Sequence, residues 1–389
     1  MRILLLSSLF PNAVQPRKGQ FVRERMRQMQ QRYDIEWQVV APVPWFPFAN
    51  ASFRSYAEFA RVPPEENFEG DHLLHPRYAA IPKIGDALTP LAYAASAARC
   101  IARHNLEFDA IDAHFFFPDG VAAVLLGQRL KKPVVITARG SDIHFMPDEA
   151  AAGRWIRWAA RRADRLVGVS QPLAERLGEL SDGGAVLAAP NGVDTARFRP
   201  ANYHAFRQRK GVEGFVVLSV GNLLELKGHH LAIDAIAGIP EATLLIVGEG
   251  PRRRQLEQLA SAWGVKDRVR FLGGMPQDEL VDCYSAADVL VLASSSEGSP
   301  NVVLEALSCG TPVISTVEHA VPPGPSARDV THVERSAMAI RKSLQNMSRL
   351  PAIREEVRER ALSLGWADTC DLLHVLYRSL HEARAGEFA

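Results

Sequence analysis

The sequence predicts an α/β protein of two doubly wound domains that face each other across a cleft. Three observations carry that expectation. Short apolar runs alternate with helical stretches along nearly the whole chain, the same rhythm starts again in the second half, and a polar, basic segment containing Pro200 separates the two series. With 389 residues there is enough chain for two cores. Alternating strands and helices imply parallel sheets with right-handed crossovers, whose ligands bind beyond the carboxyl ends of the strands.

Taken in order, the first half offers strand-like runs at 3–6, 37–41, 110–113, 133–137, 165–169 and 185–188, with helical stretches at 21–31, 88–104, 121–130 and 152–163. The opening MRILLLSSLF reads as the first buried strand and not as a signal peptide. Its apolar run is short, no small-residue cleavage site follows, and Arg17 and Lys18 come soon after. The second half repeats the pattern with strands at 215–220, 243–247, 269–272, 289–292 and 313–315. The expected domains are therefore 1–195 and 212–365, joined by a linker at 196–211, with a C-terminal segment 366–389 that packs back on the first domain.

Composition is that of a globular protein, with 47% hydrophobic and 23% charged residues and a net charge of +1. That balance supplies no strong basic surface, so nucleic acid is not an expected partner. Cys100, Cys283, Cys309 and Cys370 are scattered, without metal-ligand spacing or a disulfide framework, which fits a reducing cytoplasm. No apolar run reaches the roughly 20 residues needed to span a bilayer, so any membrane contact would be peripheral.

The stretch EGSPNVVLEALSCGTPV carries two glutamates with seven residues between them, Glu297 and Glu305. Ser299 followed by Pro300 predicts a helix cap and first helical position, because a hydroxyl can accept an orphan N–H and proline's fixed φ suits a helix start. Such a helix presents free N–H groups and a positive dipole end beside Glu297, with Glu305 about 9 Å further along at 1.5 Å per residue. Those dimensions suit a nucleotide sugar, its diphosphate at the helix mouth, its ribose diol on Glu305 and its sugar before Glu297. Either glutamate alone would read as a solvated charge. Glu305, however, lies among Val302, Val303, Leu304, Ala306 and Leu307, and a buried carboxylate without a partner is costly. Something polar should meet it.

This block resembles the donor-site signature of the retaining GT-B glycosyltransferases of family 4, with Glu297 and Glu305 in the places of its two glutamates. Further segments are similar in order: FPNAVQPRKGQFV near the N-terminus, HFFFPDG and VVITARGSD before residue 145, then PNGVDTARF, VGNLLELKGHHLAIDA, IVGEGP and FLGGMPQDEL. The resemblance covers most of the chain. It implies a GT-B fold of two Rossmann-like domains and transfer of a sugar, with retention, from a nucleotide diphosphate sugar to a sugar or lipid-linked hydroxyl acceptor in bacterial polysaccharide or glycolipid assembly. No metal or other cofactor is implied, since a lysine and a helix N-terminus can supply the positive charge.

The resemblance also implies site residues. Lys227, which alone would read as a surface lysine, becomes a contact to the departing diphosphate, with Glu297 and His114 beside the sugar. Ser299, Asn301 and Val302 would meet the diphosphate and Glu305 the ribose. Gly248, Glu249 and Gly250 of the GEGP turn, with the backbone near Gly273, would line the base and ribose pocket. Gly19 would let backbone approach the diphosphate closely. Arg139 and Asp142 are acceptor-side or donor-side polar residues. Asn222 departs from the family, which commonly has an arginine there, and Arg252 or Arg253 are the nearest substitutes.

Two further stretches bear on partners. GRWIRWAARRADR combines Arg154, Arg157, Arg161, Arg162 and Arg165 with Trp155, Ile156 and Trp158, which suits either an anionic membrane surface or a solvated helix with tryptophan packed inward. VPWFPFANASF at 43–53 adds aromatics that could face a membrane or an acceptor. After GTPVIST the family usually continues with a Gly-Gly-x-Pro-Glu-like loop, whereas this chain reads VEHAVPPGPSARD. That departure and Asn222 motivate a competing reading, a non-enzymatic subunit that binds a sugar or lipid carrier. A nucleotide-sugar epimerase or phosphorylase on the same architecture is another.

Overall fold

The computed structural model describes residues 1–45, 55–79, 87–319, 325–350 and 353–387. The chain divides into two compact units, Met1–Asn191 with Ala367–Ala389, and Gly192–Trp366.

The first unit contains β1 (Arg2–Leu6), β2 (Glu36–Val40), β3 (Val43–Pro44), β4 (Glu65–Phe68), β5 (Asp71–Leu74), β6 (Arg77–Tyr78), β7 (Ala110–His114), β8 (Val134–Ala138), β9 (Arg165–Gly168) and β10 (Val186–Ala188). Eight of them form one sheet in the order β10-β9-β8-β7-β1-β2-β5-β4, while β3 and β6 pair separately. All neighbours in the large sheet are parallel except β4 and β5. β7 and β8 are buried along their whole length, as strands covered on both faces must be. Each fully buried Leu or Ile, such as Leu4, Leu6 and Ile111, contributes about 1.5–3 kcal/mol. The helix Gln20–Arg32 turns Val22, Met26 and Met29 inward at helical spacing. Gly19 caps it with φ 66°, and a Cβ there would stand 2.1 Å from the Leu9 carbonyl oxygen, so only glycine fits.

β4 and β5 were not expected. They form an antiparallel edge hairpin whose sequences, EENF and DHLL, are mostly polar and so lack the apolar run of a central strand, with only Leu73 and Leu74 buried. The last helix, Ala367–Glu387, belongs to this unit and buries Cys370, Leu373, Tyr377 and Leu380.

The second unit contains β11 (Phe215–Val220), β12 (Ala242–Val247), β13 (Val269–Gly273), β14 (Val289–Leu292), β15 (Val313–Ser315) and β16 (Val330–His332), all parallel in the order β13-β12-β11-β14-β15-β16. Strand order reverses between β11 and β14. The loops leaving their carboxyl ends therefore diverge and open a crevice at the switch point.

The segment 196–211 is not the expected linker. It holds the helix Tyr203–Lys210, whose Arg209 and Lys210 face outward while Phe206 is buried in the second unit's core, and Arg207 bonds the Ala286 carbonyl and Asp288. The polar run was the solvated face of an amphipathic helix, so the boundary falls at Asn191 and Gly192.

Candidate active site

At the switch point of the second unit, the loop after β11 brings Lys227 against Glu297 on the loop after β14. Lys227 Nζ donates to Glu297 Oε1 at 2.6 Å, and Ser294 Oγ donates to the same oxygen at 2.6 Å. Both side chains are half-buried, which strengthens their attraction over that of an exposed pair. Lys227 ends a short turn, Glu225–Lys227, and Gly228 at φ 68° caps the following helix His229–Ala237. A Cβ on Gly228 would lie 2.1 Å from the Ala293 carbonyl oxygen, so this glycine lets the two loops close on each other.

The helix carrying Glu305 runs from Asn301 to Ser308, with Pro300 as its cap residue and no side-chain cap. This corrects the expected Ser299 cap. Pro300 sits at ψ 98° in the extended region, which pushes the start one residue on and leaves Ser299 in the preceding loop. Val302 follows Asn301 in the first turn. Glu305 is 8% exposed and accepts from the Tyr284 hydroxyl at 2.6 Å, the polar partner that its apolar surroundings demanded. Burial pushes its carboxyl up to about 7, with the Tyr284 bond and the charge of Arg197 offsetting only part.

The glycine turns lie where tight backbone contact is needed. Gly248 has φ 143°, and a Cβ there would stand 1.9 Å from the Gly221 carbonyl oxygen. Its N–H bonds the Gly273 carbonyl at 2.8 Å, and Leu223 N–H bonds the Glu249 carbonyl at 2.9 Å. A Cβ on Gly250 would meet Leu223 backbone at 2.6 Å. These bonds tie the loops after β11, β12 and β13 together at one end of the sheet. The Asn222 carbonyl accepts from His229 Nε2 at 3.3 Å, and His229 Nδ1 meets Ser219 Oγ at 2.9 Å. Arg252 pairs with Glu225 and Arg253 with Glu257, so neither cation stands free to replace the absent arginine.

In the first unit the same kind of switch point lies between β1 and β7. Ser7 Oγ donates to the His114 carbonyl at 3.0 Å, and Ser8 donates from its N–H and its hydroxyl to Asp119. The structure corrects the expected part of His114. Its ring is 1% exposed and both nitrogens are engaged within the protein: Arg139 Nη2 donates to Nδ1, and Nε2–H donates to Asp112 Oδ2 at 3.1 Å. A guanidinium can only donate, so Nδ1 must be the acceptor and the imidazole neutral. Burial and the Arg139 charge keep its pKa low, although Asp112 pulls the other way. No ring nitrogen is left for a sugar hydroxyl.

Asp112 also accepts from Tyr377 of the last helix at 2.7 Å. Arg139 Nη1 donates to Asn191 at 2.9 Å, and Asp142 collects the backbone N–H groups of Phe116, Arg139 and Gly140. Asp142 thus shapes the loop after β8 and presents no free carboxylate. Burial pushes its pKa up, and those bonds counter the rise.

Tyr284, Ser294, Asp112 and Tyr377 were not singled out in the sequence. For Asp112 a signal existed: residues two apart on a strand share a face, so an aspartate two positions before His114 in an apolar strand must lie beside it. The others carry none, because their partners are far away in the chain or unremarkable in type. Residues 46–53 of the aromatic stretch and 320–324 of the off-pattern segment lie outside the described residues.

Comparison with known proteins agrees with this architecture. The model for glycosyl transferases group 1 matches residues 203–361, and that for glycosyltransferase family 4 matches 22–197. TuaC of Bacillus subtilis (strain 168), a glycosyltransferase named for teichuronic acid biosynthesis, is 30% identical over 327 residues, which is 81% of each chain. Among solved structures, sucrose-phosphate synthase from Thermosynechococcus elongatus superposes with a TM-score of 0.76 at 20% identity, covering 98% of this chain and 99% of that one. HepE from Anabaena in complex with UDP superposes with a TM-score of 0.70 at 20% identity, covering 97% of this chain and all of that one, 100%. HepE has also been solved with UDP-glucose. The chain belongs to the group 1 and family 4 glycosyltransferases, and it is an enzyme of that kind with the GT-B fold.

Proposed function

We propose that the protein transfers a sugar from a nucleotide diphosphate sugar to a hydroxyl acceptor with retained anomeric configuration, in polysaccharide or glycolipid assembly. The observation that carries the reading is the Lys227–Glu297 pair at the switch point of the second unit, with Glu305 one helix away. HepE, solved with UDP-glucose, and TuaC, named for teichuronic acid biosynthesis, support the donor class and the pathway class. In this reading Lys227 turns from Glu297 to the diphosphate as the glycosidic bond breaks, and the Asn301–Ser308 helix N-terminus adds its dipole, without a metal. Glu297, released from the lysine, faces the cationic sugar, and Glu305 takes the ribose diol. A thermal-shift panel of nucleoside diphosphates on the full chain is expected to single out one base, and the matching sugar nucleotides are expected to release nucleotide only when acceptor is present. Release without any acceptor, with the product an epimer or sugar phosphate, would favour the epimerase or phosphorylase reading. No thermal shift with any nucleotide would sink the donor site.

We also infer peripheral contact with an anionic membrane on the cytoplasmic side. No helix among the described residues is long and apolar enough to cross a bilayer. On the helix Ala150–Ala160, Trp155 donates its indole N–H to the Ala87 carbonyl at 2.9 Å, beside Leu88 and Leu91, which are 66% and 44% exposed. Trp158 packs edge-on against Trp155 and lies under Arg162, while Arg154 and Arg161 are exposed. Apolar side chains rimmed by guanidiniums suit an acidic lipid surface. Replacing Arg154, Arg161 and Arg162 by Glu is expected to abolish co-sedimentation with phosphatidylglycerol vesicles at low salt while nucleotide binding persists. Unchanged co-sedimentation would remove the membrane from this reading.

A further inference from the structure

Arg139, at the carboxyl end of β8, is an arginine without a counter-ion. Its guanidinium is held by His114 Nδ1 and Asn191 Oδ1, and its face lies 5.0 Å from the Phe21 ring centre. Among the described residues it forms no ion pair, and its Nε is buried with no hydrogen-bond partner. The two acids whose charge acts on it are already engaged, Asp142 by three backbone N–H groups and Asp112 by His114 and Tyr377.

Lys18 is a second such cation. It immediately precedes Gly19, the cap of the helix that carries Phe21. Its ammonium lies 5.3 Å from the Phe59 ring centre and forms no hydrogen bond or ion pair among the described residues. Burial lowers its pKa, against the charges of Asp119 and Glu58. Those carboxylates serve other donors, Asp119 taking Ser8 and Tyr93, and Glu58 taking Gln15.

Desolvating a cation without pairing it is costly. Arg25, which donates to Thr137 at 3.2 Å, is also without an ion pair among the described residues but is buried, whereas Arg139 and Lys18 are partly exposed and can meet a ligand, one stacked on Phe21 and the other just before Gly19. We propose that Arg139 and Lys18 bind an anionic group on the acceptor, so that the acceptor is an acidic sugar bearing a phosphate or a carboxylate. A planar guanidinium presents paired donors to either oxyanion, and a compact ammonium adds a point charge. His114 then acts through Arg139: its Nδ1 lone pair aims the guanidinium, and Asp112 with Tyr377 fixes the tautomer that supplies that lone pair. This inference rests on the reading that the first unit takes the acceptor.

The test is binding of three probes to the full chain by ligand-observed NMR titration: methyl glucoside, methyl glucoside 6-phosphate and methyl glucuronide. At least one acidic glycoside is expected to bind about tenfold more tightly than the neutral one, as charge-assisted bonds allow. Which of the two wins distinguishes phosphate from carboxylate. Arg139→Gln and Lys18→Gln are each expected to erase that preference while leaving affinity for methyl glucoside as it was. Lys18→Gln breaks no hydrogen bond, so it remains informative if Arg139→Gln fails to fold by circular dichroism. Equal binding of all three probes by the parent, binding of none, or uniform loss across the probes in the Lys18 variant would each overturn the proposal. So would variants that weaken nucleoside diphosphate binding instead, which would place both cations on the donor. Nucleoside diphosphate binding is measured in the same samples: its absence from the parent, with the acidic preference intact, would defeat the donor reading and leave this one standing.

Discussion

Lys227→Ala is expected to lower kcat by roughly 10²- to 10³-fold, about 3 to 4 kcal/mol, the cost of losing one preorganised electrostatic donor. The charge on a departing diphosphate grows as its bond to the sugar breaks, so a cation there stabilises the transition state more than bound donor. Donor affinity should therefore fall less than kcat. In the free protein the ammonium is held 2.6 Å from Glu297 Oε1, which keeps the lysine desolvated and aimed without committing it to a buried partner that the donor could not displace. Removing it leaves Glu297 with the Ser294 hydroxyl as its hydrogen-bond partner among the described residues, so the variant also loses the cation that restrains this carboxylate. Lys227→Arg should recover only part of the rate, because a planar fork does not reproduce a compact ammonium between two tight loops. Steady-state kinetics at saturating donor and acceptor decide it, with circular dichroism to confirm the fold. A kcat near that of the parent would make Lys227 a surface lysine.

Glu305→Gln should have opposite effects on stability and on binding. The folded carboxyl titrates at about 7 against an ordinary 4.5, and burial is the main cause. The folded state therefore holds a proton that the unfolded chain has released, so stability falls as pH rises from about 4.5 to about 7 and levels off above. The full difference, at about 1.4 kcal/mol per pH unit, is about 3 kcal/mol. Glutamine carries no such penalty and can still accept from Tyr284. The ligand-free variant is thus expected to be more stable than the parent by up to about 3 kcal/mol above neutral pH, and equal to it in acid, as urea unfolding at several pH values would show. Nucleoside diphosphate affinity should drop at least about tenfold, since the charge-assisted bonds to the ribose are gone. A stability difference that does not change with pH would mean that Glu305 is ionised and solvated, and unaltered nucleotide affinity by calorimetry would remove it from the ribose.

The central strands were legible because a strand buried on both faces is mostly apolar, and β1, β8, β11, β12 and β14 are, while β7 shows Ala110, Ile111 and Ala113 around its two polar residues. The β4–β5 hairpin was not, since its residues are mostly polar and only Leu73 and Leu74 are buried. The 196–211 segment misled because its basic, polar outer face hides the inward side of the helix, where Phe206 is buried and Arg207 bonds Ala286 and Asp288. Glu297 and Glu305 could be singled out from spacing and neighbours, and so could the need for a polar group at Glu305, whereas Lys227 stood out only through the resemblance to the family.

The residues themselves thus determined the two-part α/β architecture, the loops that carry the candidate site and the burial of one carboxylate. Pairings are long-range, and no local rule reaches across them. That Lys227 and Glu297, 70 positions apart, neutralise each other was decided only when β11 and β14 became neighbours. That Tyr284 is the partner of Glu305, and that the His114 ring turns inward to Asp112 and Arg139, followed from the packing of separate elements against one another. A side chain's hydrogen-bonding partner is whatever the fold brings within about 3 Å of it, and only the tertiary structure sets that neighbourhood.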